Sequence, residues 1–287
     1  MRGLGAESHP WIGTGSNPQQ PTLVMKAQVR LLTRGAQSLR FLPHLTSPDA
    51  HKTRVAVFGS FLGGYHVLQE LLLGPLANRL TVVGVATDDP TQPFIHAEKR
   101  LWKYPHERKD ETITPRFARQ HGLPVFTGRV KTPEFFSMFL DEWQPELCLM
   151  ATFGQKIPTA LINYPSLGFF NYHHSGPTWP SYPGPDPIAA MVRDGRKDLV
   201  LTLHKVSDVI DGGEFVARSH PVAIPEGINA VGMHRITWPQ MGPFIRRAVS
   251  VMLDAAAPRT TPPLVLQQAA IPYRIAGQSE WTQCLAA

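Results

Sequence analysis

Cysteine is scarce in this 287-residue chain: Cys148 sits inside an apolar run and Cys284 near the C-terminus, which makes neither a disulfide framework nor a paired zinc-ligand spacing. A reducing, cytoplasmic setting is expected. Long apolar runs are missing as well. Arg, Lys, Asp, His or Pro interrupts each one before the roughly 18 residues that a membrane-crossing helix needs, so no membrane partner is expected. Acidic residues are outnumbered, 22 against 28 Lys and Arg. The excess is local, because residues 1–54 carry seven basic and two acidic residues while the remainder carry 21 and 20. The body lacks the basic footprint of a polyanion binder, and nucleic acid is not an expected partner.

What is present is enough apolar residue, 43%, to bury a large core. The chain is expected to divide into a basic arm (1–52), a folded body (53–257) and a tail (258–287) that packs on the core. The arm is rich in Gly, Pro, Ser and Gln before MKAQVRLLTRGAQSLRFL and is expected to pack poorly. A mitochondrial presequence is the other reading of its Arg spacing, and Met25 is an alternative start.

From Arg54 short apolar runs alternate with helical segments, the pattern of an α/β domain with a largely parallel sheet. RVAVFGS (54–60) reads as a buried strand, Gly63 and Gly64 as the turn, YHVLQELLL (65–73) as a helix and LTVVGVATDD (80–89) as the next strand, a Rossmann-like start. A dinucleotide is not expected, because the residue two after Gly59 is the bulky Phe61 where the phosphate fingerprint needs glycine. Ser60 is left as a donor to a small polar substrate, with an ordinary tight turn as the alternative. Residues 90–111 read as a long connection, 123–128 as a strand, and Thr132-Pro133 as the cap of a helix to Trp143. Strands follow at 146–154 and 168–174, a helix at 186–195, later strands at 199–206 and 213–224, and a helical region from about Ala230 to Ala257 broken near Pro239 and Pro243.

The most polar stretch in this apolar framework is FNYHHSG. On a strand Asn171, His173 and Ser175 share one face while Tyr172 and His174 share the other. An amide and an imidazole side by side can stabilise an oxyanion and handle a proton. Forty residues on, VSDVIDGG sets Asp211 before a Gly-Gly turn that can aim a carboxylate into a cleft. Such a set, with no nucleophile of its own, suits acyl transfer to an external amine; a solvated histidine and a plain Asp-Gly turn are the alternatives. No metal is implied, since adjacent strand histidines point to opposite faces.

The run ATFGQKIPTALINYPSLGFFNYHHSGP, then PGPDPIAAMVRDG and VIDGG, resembles the catalytic core of the 10-formyltetrahydrofolate-dependent formyltransferases, with their Asn-x-His-x-Ser strand and later Asp-x-Gly motif. The resemblance covers roughly 54–224. It implies a Rossmann-like formyltransferase core with a mostly parallel sheet and a short helical or irregular C-terminal extension. It also implies 10-formyltetrahydrofolate as co-substrate and Asn171, His173 and Asp211 as catalytic residues. Phe153, Gly154, Gln155, Lys156, Ile157, Val206 and Asp208 fall where the family holds the folate. Ser60, His174, Ser175 and Tyr182 are then the expected acceptor-side residues.

Where the family commonly has Leu-Pro after the motif's Ser, this chain reads GPTWPSY (176–182), on the acceptor side. The near-neutral body and the short segment after Asp211 imply a small amine rather than transfer RNA. The resemblance points to the branch that formylates δ-N-hydroxyornithine in siderophore synthesis. A nucleotide-linked aminosugar, stacked on Trp102, Tyr104, Trp179 or Tyr182, is the alternative. The paired histidines of NYHHS also resemble formyltetrahydrofolate deformylase, and a Rossmann-like binding module without activity is the reading outside enzymes. Oligomeric state is open, a homodimer included.

Overall fold

A computed structural model describes residues 52–88 and 104–256, with four three-residue strands outside those ranges. Apart from those strands, the expected arm, most of the long connection after Pro90 and the tail lie outside the described residues. In chain order come β1 (Gln28–Arg30), β2 (Arg40–Leu42), β3 (Thr53–Gly59), α1 (Phe61–Leu73), β4 (Leu80–Ala86), α2 (Ile113–Gln120) and β5 (Val125–Phe126). Next are α3 (Pro133–Ser137), β6 (Leu147–Ala151), α4 (Thr159–Ile162), β7 (Gly168–Ser175), α5 (Pro187–Arg193) and β8 (Asp198–Lys205). The chain continues with β9 (Phe215–Arg218), β10 (Val222–Ala223), α6 (Ala230–Gln240), α7 (Gly242–Ala256), β11 (Ile271–Tyr273) and β12 (Thr282–Cys284).

The main sheet runs β1-β2-β5-β4-β3-β6-β7-β8-β10, with β9 also paired to β8. Its centre, β5-β4-β3-β6-β7, is parallel. The edge strands β8, β9 and β10 are antiparallel. This is the expected α/β, Rossmann-like architecture with a mostly parallel sheet.

Strand alternation sends neighbouring residues into two cores. Val55, Val57 and Leu149 pack with Leu68, Ile188, Trp238 and Val249 of the helices on one face. Ala56, Phe58 and Cys148 pack with Phe135, Phe139, Trp143 and Leu161 on the other. Phe58 anchors the second core, its ring 4.8 to 6.0 Å from Phe135, Phe139, Phe153 and Phe169. Thr132 caps α3 through the Phe135 N–H, as the Thr-Pro signal implies, and the helix continues as a π-turn through Met138–Trp143.

Gly63 and Gly64 are not the turn expected from sequence; they lie inside α1. A Cβ on Gly64 would come 2.6 Å from the Gly59 carbonyl carbon, and one on Gly63 would come 2.5 Å from Thr152 Oγ1. Their smallness lets helix and strand touch. Gly64→Ala is therefore expected to cost about 1–3 kcal/mol through overpacking. A fall in melting temperature on thermal unfolding checks this, and an unchanged midpoint would show that the contact relaxes freely.

The chain moves outward from β3 to β4 and β5, then crosses back to β6 on the other side of β3. That reversal creates the crevice at the carboxyl ends of the strands where such sheets hold ligands. No helix among the described residues is long and apolar enough to cross a membrane.

Candidate active site

β7 ends in the polar run, and β8 returns antiparallel beside it with Asn171 opposite His204 and His173 opposite Thr202. The turn after β8 then swings Asp211 over both. Asp211 sits at φ +50, a left-handed conformation that a non-glycine residue adopts only when its surroundings hold it there. Its Oδ2 accepts from the Gly184 N–H at 2.8 Å. Its Oδ1 lies 3.4 Å from Asn171 Nδ2 and 3.7 Å from His173 Nδ1. The two motifs, forty residues apart, thus meet in one cluster.

His204 completes it, and sequence reasoning missed this residue. Its Nδ1–H donates to the Lys205 carbonyl at 2.8 Å. Burial lowers its pKa to about 4, so the ring is neutral near pH 7 and Nε2 keeps a lone pair. Asn171 Nδ2 donates to that Nε2 at 3.1 Å. A fixed tautomer therefore orients the Asn171 amide. The signal lay in register: of the polar residues in LVLTLHKV, His204 is the one that the antiparallel return places against Asn171.

The loop 176–186 forms the opposite lip. Trp179 stacks on His204 with ring centroids 4.6 Å apart, and its indole N–H donates to the Gly213 carbonyl at 3.0 Å. His173 Nε2–H donates to the Tyr182 carbonyl at 2.9 Å. The imidazole is thus held between a carboxylate and a backbone carbonyl.

Asn171, His173, Gly184, His204 and Asp211 line a cavity of about 330 Å³ that also takes in Phe153, Gly154, Gln155, Lys156, Ile157 and Val206. Asp208 lies instead in an adjoining hollow with Lys131 and Lys156. Of the residues expected on the acceptor side, His174 lines the cavity. Ser60 is 2% exposed and donates to Asp88 at 3.1 Å, and Ser175 is buried against Thr202 Oγ1 at 2.7 Å. Tyr182 contributes its carbonyl, while its side chain packs on the helical core. The hydroxyls of Ser60 and Ser175 are therefore engaged inside the fold, not on the cavity wall.

His174 belongs to a second buried group on the far side of the sheet. Tyr104 Oη donates to His234 Nδ1 at 2.7 Å, and Trp238 Nε1–H reaches Tyr104 Oη at 3.4 Å. Burial lowers the pKa of His234 to about 3 and that of His174 well below its ordinary value. Tyr104 lines the cavity beside His174, so this end presents neutral imidazole and phenol. Phe61, at φ +52, stacks on Tyr104 with centroids 5.2 Å apart. An aromatic ring thereby covers the start of α1, where many related sheets leave backbone N–H groups free for an anion.

Residues 53–236 match the formyl transferase family, well over half of the chain. The chain belongs to that family. Among curated relatives it is 30% identical over 128 residues to methionyl-tRNA formyltransferase from Syntrophomonas wolfei, a match covering 44% of this chain and 40% of that one. With the Kosmotoga olearia methionyl-tRNA formyltransferase it is 27% identical, over 58% of this chain and 48% of the other. The chain thus spans less than half the length of these relatives. Among solved structures, glycinamide ribonucleotide transformylase 1 from Geobacillus kaustophilus superposes with a TM-score of 0.54 at 21% identity, covering 71% of this chain and all of that one. A formyltetrahydrofolate deformylase from Pseudomonas syringae pv. tomato gives 0.54 at 20% identity, covering 71% of this chain and 62% of the other. At that identity these two neighbours speak to the fold, which they share with this chain.

Proposed function

We propose that this formyl transferase family member moves the formyl group of 10-formyltetrahydrofolate to the amine or hydroxylamine nitrogen of a small metabolite. The observation that carries the reading is the convergence of Asn171, His173 and Asp211 on one cavity wall. The acceptor nitrogen attacks the formyl carbon, and the carbonyl oxygen becomes an oxyanion. Asn171 Nδ2, exchanging its long 3.4 Å contact with Asp211, and His173 through Nδ1, the nitrogen not engaged by the Tyr182 carbonyl, turn to that oxygen. The bond from the carbon to N10 of the folate then breaks, N10 gains a proton, and the acceptor nitrogen loses one. Asp211, beside His173, receives and returns that proton through the imidazole or a water. The donor's pterin is held by the walls 153–157 and 206–211, with Lys156 and Lys131 outside for its carboxylates.

For the acceptor we take δ-N-hydroxyornithine, in a siderophore pathway. Support comes from the GPTWPSY loop replacing the family's Leu-Pro and from a body whose 21 basic and 20 acidic residues beyond position 54 offer no polyanion track. A nucleotide-linked aminosugar is the second acceptor class, and a deformylase, with water in place of the amine, is favoured by the His173-His174 pair.

The test is formyl release from 10-formyltetrahydrofolate, followed through folate absorbance, without acceptor and then with hydroxyornithine and nucleotide aminosugars. Release that depends on hydroxyornithine is the expected result. Release dependent on another amine reassigns the acceptor, release with none makes the protein a hydrolase, and no release in any arm overturns the reading.

A further inference from the structure

We propose that Asp88 is a positioning residue for the formyl donor: its buried carboxylate fastens the cavity wall 152–157 and thereby sets folate affinity. The inference rests on the assignment of that wall to the donor.

Asp88 follows β4 and is 3% exposed. Its Oδ2 accepts from the Gly154 N–H at 2.9 Å and from Ser60 Oγ at 3.1 Å, and its Oδ1 accepts from Gln155 Nε2 at 3.2 Å. The Asp88 N–H donates back to Ser60 Oγ at 3.0 Å. Gln155 carries the tie further, donating to the Gly128 carbonyl at 3.1 Å and accepting from the Val130 N–H at 3.1 Å. One carboxylate thus joins the segments that follow β3, β4, β5 and β6. It does so at the strand reversal, the place where related sheets open to a ligand. Here Ser60 and Asp88 fill that crevice with protein hydrogen bonds, and the cavity lies to one side, toward β7 and β8.

Two of the partners, Gly154 and Gln155, are themselves cavity wall. Between β6 and that wall Thr152 stands at φ +53, so the backbone leaves the strand in a conformation that needs holding. Phe153, against Phe58 at 5.6 Å, and Ile157, 4% exposed, secure the apolar side of the wall. Its polar side is held through Asp88. Neither Ser60 nor Asp88 is among the residues lining the cavity, so the effect on folate passes through the wall.

Calorimetric binding of 5-formyltetrahydrofolate, whose formyl group is not poised for transfer, reads the wall without any acceptor. Loss of a charged acceptor for several donors predicts that D88A and D88N each weaken binding by about tenfold or more, and Q155A by less. D88N serves where D88A fails to fold; it keeps the shape but turns an NH2 group toward one of the donors. V249A, on the buried face of α7, is the stability control. It is expected to lower the melting temperature and leave folate affinity unchanged. Folded D88N and Q155A that bind within about twofold of wild type, or affinity that tracks melting temperature through V249A as well, would overturn the positioning role. A wild-type protein that does not bind the folate would instead overturn the donor assignment itself.

Discussion

His173→Ala and Asn171→Ala are each expected to lower formyl-transfer kcat by about 10²–10³ or more, the loss seen when an oxyanion donor or proton-handling group is removed. The expectation follows from where these side chains sit. Both touch Asp211 and line the same cavity, and neither is part of the apolar cores. Asp211→Asn is the informative third variant, because an amide oxygen can still accept from the Gly184 N–H while the negative charge beside His173 is lost. Residues that act as one unit are strongly non-additive, so the Asn171→Ala, His173→Ala double variant is expected to fall little below the worse single one. Single-turnover kinetics with 10-formyltetrahydrofolate, alongside 5-formyltetrahydrofolate binding, separate lost chemistry from lost donor. Near-wild-type rates in all three single variants would sink the mechanism.

FNYHHS by itself made a polar strand face legible, whereas its pairing with Asp211 as one site came from the family resemblance. The polar residues break an apolar strand, and strand alternation says which of them share a face. The fold was legible for a related reason: buried strands such as Val55–Phe58 and the Thr132-Pro133 cap carry local signals that tertiary packing leaves in place. Gly63 and Gly64 were misplaced because a glycine pair reads locally as a turn, whereas the helix needs it for contact with Gly59 and Thr152 across the interface. Helix α2 was not foreseen, since ITPRFARQ is short, polar and carries Pro115 in its first turn. His204 and Asp88 escaped notice because each acquires its role only through pairing distant in sequence. His204 needs the antiparallel register of β8, and Asp88 needs the crossing from β5 to β6. Ser60 was seen at the right strand end but assigned outward. Its hydroxyl turns instead to Asp88, which no local pattern encodes.

The same burial that organises the cavity predicts that stability falls with acid already above the usual carboxylate range. His204, lowered to about 4, His234, lowered to about 3, and His174, lowered well below its ordinary value, owe their shifts chiefly to burial. In the unfolded chain each titrates near 6.5. Their folded values are depressed, so the unfolded state takes up protons first as pH falls. The stability they contribute is whole above about pH 6.5 and declines through the window toward pH 4 for His204 and pH 3 for His234. His204 and His234 each add up to about 1.4 kcal/mol per pH unit within that window, and His174 adds in the same direction. Set against a typical total of about 5–15 kcal/mol, a slope of that sign predicts a measurable loss of stability between pH 6.5 and 5. Charge around the rings tempers it unequally. Asp211, 3.9 Å from His204, favours its protonated form, whereas His173 opposes it. His234 has Tyr104 on Nδ1, while its Nε2 has no hydrogen-bond partner. His234→Gln, which can still accept from Tyr104 Oη, is therefore expected to flatten the stability profile between pH 5 and 6.5. Urea unfolding measured across that range decides the matter: a wild-type free energy that stays level from pH 6.5 to 5 would show that water or an ion reaches these rings.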